Sequence, residues 1–199
     1  MPRRGIHQYL GDAFLENLVK ECDNSHKKSK RELADYLRKR DKALVATLFL
    51  TGGFVSEILS LRKNNFVFND KEAKKRKAFI VKDMKVLYQK EKRGKPKWVT
   101  RTIELFYDEP LVQYLLDWIK LIPEADGKLF NLNRISLWRI IRNLGERLNC
   151  PISSMDLRNQ RMLYLVEKRG LEPFEVQRHF GMELNTPNSA RAFSYGERV

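Results

Sequence analysis

The chain has 199 residues, of which 42% are hydrophobic and 11% aromatic, a composition typical of a folded domain rather than a disordered tail. It contains 39 Lys and Arg against 25 Asp and Glu, so its formal net charge is +14 at pH 7. No run of about 18 apolar residues is present, and no hydrophobic segment follows the basic N-terminus. The sequence therefore predicts neither a transmembrane span nor a secretory signal peptide.

The cysteines and histidines indicate neither a disulfide framework nor a metal site. Cys22 and Cys150 lie far apart with no motif around them, which favours two buried thiols in a reducing compartment. His7, His26 and His179 are scattered, and with the cysteines they form no zinc-binding pattern. We expect no metal ion and no small-molecule cofactor.

Most of the positive charge lies between Lys71 and Arg101. This segment contains 13 of the basic residues and three acidic ones, so it accounts for +10 of the total of +14. Such a density of like charge is unfavourable unless it faces a polyanion, and nucleic acid is the usual partner. The alternative is a basic surface that serves only solubility. A membrane-surface role is disfavoured because the segment lacks the large apolar face of an amphipathic helix.

Apolar spacing predicts helices in the first part of the chain. They cover 13–22, 31–40, 41–50 and 55–61, with a polar loop over 23–30 and a break at 51–53. The pattern changes to that of strands near Asn65. Predicted strands cover 66–68, 77–81, 85–89 and 98–105, and residues 93–96 have the composition of a turn.

Helices return after Pro110. Buried faces are predicted over 111–119 and 137–148, followed by a helix from an N-cap at Ser154 to Arg169, a short helix over 173–181 and a final one over 190–195. We therefore predict one α+β domain over 1–199 that is mainly helical and contains a small antiparallel sheet. Because few residues precede the first helix, we expect no separate N-terminal DNA-binding domain.

Three segments of the chain match, in order, the sequence boxes of a known family. Thr51-Gly52-Gly53-Phe54-Val55-Ser56-Glu57 resembles Thr-Gly-x-Arg-x-x-Glu, and Met155-Asp156-Leu157-Arg158 resembles His-x-Leu-Arg. The segment 171–182, with Phe180-Gly181 near its end, resembles a helix that ends in Leu-Gly-His or Leu-Gly-Trp. Together they resemble the catalytic domain of the tyrosine recombinases, the phage-integrase family.

The resemblance implies a mainly helical catalytic domain and DNA strand exchange without a metal ion or a nucleotide. In that family a Tyr hydroxyl attacks a DNA phosphate and forms a 3′-phosphotyrosine link. Two Arg residues bind the phosphate oxygens, and a Lys of the sheet hairpin protonates the leaving 5′ oxygen. Fixed bidentate cations suit a transition state that gains negative charge.

Part of that catalytic set is matched in this chain. Arg158 stands at the second Arg position, and Tyr195 best matches the nucleophile, with Phe193 as the rival register. The candidate for the hairpin lysine is Lys95, and its rivals are Lys90, Lys92 and Lys97.

Three positions depart from the family pattern. Phe54 replaces the first Arg, Met155 the second-box His, and Met182 the third-box His or Trp. Phe and Met cannot donate a hydrogen bond to a phosphate oxygen, so we expect a degenerate catalytic set with impaired or absent strand cleavage. These three side chains are most simply interpreted as core or pocket filling. Arg62, further along the first segment, is a candidate substitute for the missing cation.

We therefore expect a protein that binds double-stranded DNA and acts in, or derives from, site-specific recombination or integration. It would contact DNA through Lys90, Lys92, Arg93, Lys95, Lys97 and Arg101. A homo-oligomer or a partner recombinase would provide further contacts with DNA. We expect the protein to be located in the cytoplasm or the nucleoid. Two alternatives stay open: an active divergent recombinase that uses Tyr195, and a plain architectural nucleic-acid-binding protein.

Overall fold

Two helices joined by a short 3₁₀ turn and a loop begin the described part of the chain. The computed structural model describes residues 9–88 and 97–181. Helix α1 (Asp12–Lys20) is followed by a 3₁₀ turn, Glu21–Asn24, and by helix α2 (Arg31–Thr51). The sequence predicted two helices over 31–50. Because no Gly or Pro lies in that stretch, helical hydrogen bonding continues through it and the two are one helix.

Helix α2 ends in a glycine turn that leads directly into helix α3 (Val55–Ser60). Gly52 has φ +55°, in the left-handed region that glycine adopts most readily. A Cβ atom at Gly52 would overlap the ring of Phe180, so a close approach also requires glycine there. The break predicted at 51–53 is confirmed.

The sheet contains three antiparallel strands in the order β1-β2-β3: β1 (Phe66–Val67), β2 (Ala78–Tyr88) and β3 (Lys97–Phe106). A short helix, α4 (Lys71–Lys75), precedes β2 and was not predicted. The Asp70 carboxylate caps it by accepting a 2.8 Å hydrogen bond from the Ala73 N–H.

Strand β2 was predicted as two pieces, and the structure shows why. Its register with β3 shifts between Val81 and Met84, and Asp83 has φ +56°. This irregularity interrupts the alternation of apolar side chains without ending the strand. Beyond it, Met84 pairs with Arg101 of β3. The predicted turn at 93–96 lies outside the described residues.

The remaining described helices are α5 (Val112–Leu121), α6 (Arg134–Arg147), α7 (Ser154–Glu167) and α8 (Pro173–Phe180). The N-cap of α7 is Ser153 rather than Ser154, because the Ser153 Oγ accepts from the Asp156 N–H. Gly170 and Gly181 have positive φ angles and follow α7 and α8 as predicted. The helix predicted over 190–195 lies outside the described residues.

The core is one apolar cluster centred on α2, which packs against α5 and α7, while α8 packs against α7 and β3. The turn after α2 therefore lies where α7, α8 and the sheet come together. This is the mainly helical α+β fold with a small antiparallel sheet that the sequence predicted. Within 9–88 and 97–181, no helix has both the length and the apolar character needed to cross a membrane.

Candidate nucleic-acid interface

The turn 51–54 forms the floor of a cluster of cationic side chains. The Gly53 N–H donates to the Thr51 Oγ1 at 3.1 Å, and the Phe54 N–H donates to the Glu57 carboxylate at 2.6 Å. Glu57 thus fixes the start of α3 while its side chain stays buried. The turn leaves the Gly52 carbonyl available to a donor from α7.

Arg158 of α7 supplies that donor. Its Nη1 donates to the Gly52 carbonyl, and its guanidinium carbon lies 4.2 Å from the Phe54 ring centroid and 4.6 Å from that of Phe180. The cation therefore contacts two aromatic rings, which is a favourable arrangement. Arg158 is only 7% exposed.

The charge of Arg158 is not matched by a carboxylate in the described part of the chain, where no acidic side chain lies within ion-pair distance of it. Burial, reinforced by the nearby Arg101 and opposed by Glu57, lowers the pKa of Arg158 to about 10. It still stays charged at neutral pH. A buried cation without a counter-ion is costly, so an anion bound here would be stabilised.

Arg101 of β3 lies beneath the same turn. Its Nε donates to the Glu57 carboxylate at 2.8 Å, its Nη2 to the Thr51 carbonyl at 3.0 Å, and its Nη1 to the His179 carbonyl. The side chain is 3% exposed. The sequence predicted Arg101 at the DNA-binding surface. The structure instead places it inside, because a buried carboxylate and two carbonyls occupy its donors.

A third arginine, missed by the sequence analysis, forms a deeper layer. The Arg161 Nη2 donates to the buried Glu109 carboxylate at 3.0 Å, and its Nε faces the His179 Nε2 at 3.4 Å. Burial raises the pKa of Glu109 in spite of this cation. The sequence spacing could have indicated Arg161, because residues three positions apart, such as 158 and 161, lie on the same face of a helix.

The other predicted site residues are dispersed. Met155, on the first turn of α7, is 48% exposed. Arg62 reaches the Asp126 carbonyl rather than the turn 51–54. Lys97 begins β3. Outside the described residues lie Lys90, Lys92, Arg93, Lys95, Met182, Phe193 and Tyr195.

Helix α6 presents a basic and aromatic outer face that the sequence analysis also missed, having considered only its buried side. Ile135 and Trp138 are 61% and 45% exposed, and the Arg142 guanidinium carbon lies 5.0 Å from the Trp138 ring centroid. Arg134 and Arg139 are exposed beside them. Arginines with an exposed aromatic ring are typical of nucleic-acid-binding surfaces.

Comparison with known proteins gives structural neighbours and no sequence relatives. No family profile matches the chain, and no curated protein is similar to it in sequence. The XerH site-specific recombinase bound to its difH substrate, in a pre-cleavage complex, superposes with a TM-score of 0.60 at 18% identity, covering 96% of this chain and 51% of that one. The chain has the fold of a tyrosine-recombinase catalytic domain.

Two further structures agree with that assignment of the fold. XerH in a post-cleavage complex with palindromic difH gives a TM-score of 0.61 at 18% identity, covering 96% of this chain and 50% of that one. XerA recombinase gives a TM-score of 0.50 at 18% identity, covering 96% of this chain and 66% of that one. The chain spans about half the length of the XerH chains.

Two buried groups in the deep layer have shifted pKa values, and these predict that stability depends on pH. Burial and the three nearby guanidinium groups of Arg161, Arg101 and Arg158 hold the pKa of His179 well below its usual range, against a backbone hydrogen bond at Leu50. Below about pH 6.5 the unfolded chain therefore binds a proton at His179 that the folded chain does not, and stability falls as pH falls. The raised pKa of Glu109 acts in the opposite direction, since it favours proton binding by the folded chain.

Comparing the wild type with His179→Gln isolates the histidine. Between about pH 6.5 and 5.5, we expect the urea-derived free energy of unfolding of the wild type to fall by about 1 kcal/mol more than that of the variant. Glu109, His7 and His26 remain in both proteins, so their contributions cancel in the difference. Parallel pH profiles for the two proteins would contradict the prediction.

Proposed function

We propose that this chain is a duplex-DNA-binding protein of the tyrosine-recombinase type whose catalytic set is degenerate. It acts in, or derives from, site-specific recombination, inside the cell where DNA is accessible. It binds DNA through the basic hairpin formed by β2 and β3 and through adjacent surfaces. Further copies of the chain or a partner recombinase provide the remaining contacts with the duplex.

The observation that supports this proposal most strongly is the state of Arg158. A buried guanidinium beside a glycine turn, without a carboxylate partner in the described part of the chain, suits a phosphate oxygen as its missing acceptor. Arg101 and Arg161, by contrast, each have a carboxylate partner. This difference favours Arg158 as the phosphate ligand and the other two arginines as its support.

Charge and shape favour DNA over other polyanions. The segment 71–101, which includes helix α4 and most of the β2–β3 hairpin, contains +10 of the net charge of +14, and each phosphate that it neutralises would release counter-ions. The outer face of α6 offers arginines and an exposed indole, which can contact phosphates and base edges. The XerH structures with the same fold contain DNA substrates.

The residues at two box positions favour binding without cleavage. Strand cleavage would require a Tyr oxygen to attack phosphorus while the 5′ oxygen leaves with a proton, so negative charge gathers on the phosphate oxygens. Phe54 and Met155 have no donor to offer that charge. Losing one such donor typically costs about 2.7–4 kcal/mol of transition-state stabilisation.

Incubation with labelled duplex DNA that contains a single nick tests both parts of the proposal. We expect a shift on a native gel at low salt and no covalent protein–DNA band on a denaturing gel. Tyr195→Phe serves as the matched control and should behave as the wild type does.

Each of the other outcomes has a definite meaning. A covalent band that disappears in Tyr195→Phe would overturn the degenerate assignment and favour the divergent active recombinase. A duplex that is not shifted at low salt would overturn DNA binding itself. A shift that Arg158→Met leaves unchanged would favour a plain architectural protein in which the cluster has no phosphate role.

A further inference from the structure

We propose that Phe54 is a positioning residue for Arg158. Together with Phe180, its ring fixes the plane of the guanidinium so that the remaining N–H groups meet a DNA phosphate edge-on. This inference rests on the proposed function, and it gives a role to the position where the recombinase pattern has an arginine.

The geometry of the three side chains supports the role. The guanidinium carbon of Arg158 lies over the Phe54 ring at 4.2 Å from its centroid and over the Phe180 ring at 4.6 Å, so the cation contacts both rings. Its Nη1 is held in the plane by the Gly52 carbonyl. Arginine binds phosphate through N–H groups that point outward in its own plane. Contact with two rings, together with the hydrogen bond to Gly52, therefore restricts the rotation of the guanidinium.

The two rings are themselves held in place by different means. Phe180 is 1% exposed and lies against Gly52, where a Cβ atom would displace it. Phe54 is 39% exposed, but its backbone N–H is fixed by Glu57, whose second oxygen pairs with Arg101. The contact of the Phe54 ring with the Arg158 cation stabilises the ring in this partly exposed position.

Electrostatics explains why a ring can serve here better than a second cation. Arg101 already lowers the pKa of the Arg158 guanidinium, and Glu57 is the carboxylate that opposes this effect while it pairs with Arg101. Another guanidinium at position 54 would add repulsion to a buried cluster. With Phe54 at this position, Arg158 alone binds the phosphate, and the aromatic rings restrict the movement of its guanidinium.

The test is a double-mutant cycle read by affinity for a short labelled duplex at about 0.1 M salt. Phe54→Leu keeps the apolar bulk and removes the ring face, and we expect it to weaken binding about fivefold. Phe54→Tyr keeps the ring and should bind as the wild type does. In an Arg158→Met background, Phe54→Leu should have no further effect.

A second readout reports the stacking without DNA. Ring currents from Phe54 and Phe180 should shift the Arg158 Cδ protons upfield in the NMR spectrum, and Phe54→Leu should move them back while Phe54→Tyr should not. Thermal unfolding of the same variants checks that all of them fold. A purely structural role for Phe54 would follow side-chain volume and would not separate Leu from Tyr.

The outcomes distinguish this inference from the function on which it rests. If Arg158→Met weakens binding but Phe54→Leu does not, or if Phe54→Leu weakens it equally in the Arg158→Met background, only the positioning role is overturned. If Arg158→Met binds DNA as the wild type does, the phosphate role of Arg158 is overturned and the positioning role with it.

Discussion

Replacing Lys90, Lys92, Lys95 and Lys97 together by Gln should lower the affinity for duplex DNA by about 10²–10³-fold at about 0.1 M salt. Each lysine that neutralises a phosphate contributes about 0.9 to the slope of log affinity against log salt, so four of them should reduce that slope by up to about 3.6. A salt titration of binding, monitored by fluorescence anisotropy, measures both quantities. Phosphate contacts act on every sequence, so the loss should be similar for unrelated duplexes.

A matched variant separates the hairpin from the total charge. Replacing Lys71, Lys74, Lys75 and Lys77 by Gln removes the same charge from the exposed helix α4 and its C-terminal flank, at the other end of β2. We expect this control to lose much less affinity than the hairpin variant. Equal losses would show that net charge alone attracts DNA, and the hairpin would have no special role.

Glu57→Ala should destabilise the fold by about 3–5 kcal/mol. The substitution leaves the Arg101 cation buried without its carboxylate, which is among the most costly single changes in a protein interior. It also removes the acceptor of the Phe54 N–H at the start of α3. Urea unfolding monitored by circular dichroism gives the free energy directly.

The double variant Glu57→Met with Arg101→Met shows whether the ion pair is the cause. Removing both charges should recover much of the loss, since two apolar side chains of similar length can occupy the interior without an uncompensated charge. If the double variant is as unstable as Glu57→Ala, the lost stability comes from packing or from the cap at Phe54.

The fold could be predicted from the sequence because its signals are local. Apolar periodicity located most helices, β-rich stretches located the sheet, and Gly52, Gly170 and Gly181 marked helix ends. The errors arose where a local pattern was incomplete. The bulge before Met84 broke the alternation within one strand, and the short α4 depends on a single cap by Asp70.

The candidate site could be predicted only in part because charge in a sequence does not reveal burial. Arg101 follows a dozen basic residues and looks like one more surface cation. Its partner Glu57 lies 44 residues away, and only the folded sheet brings the two within 2.8 Å. The second-box motif singled out Arg158, but the two aromatic rings that contact it come from separate segments of the chain.

The contacts of Arg101 also have a mechanical consequence. This one side chain of β3 binds the last carbonyl of α2, the carboxylate of α3 and the His179 carbonyl near the end of α8. A Cβ atom at Gly181, where the chain leaves α8, would lie 3.1 Å from the Arg101 Cδ. One side chain therefore connects β3 to the end of α8. A substitution that removes the Arg101 side chain would therefore release the end of α2, the start of α3 and the end of α8 from β3 at the same time.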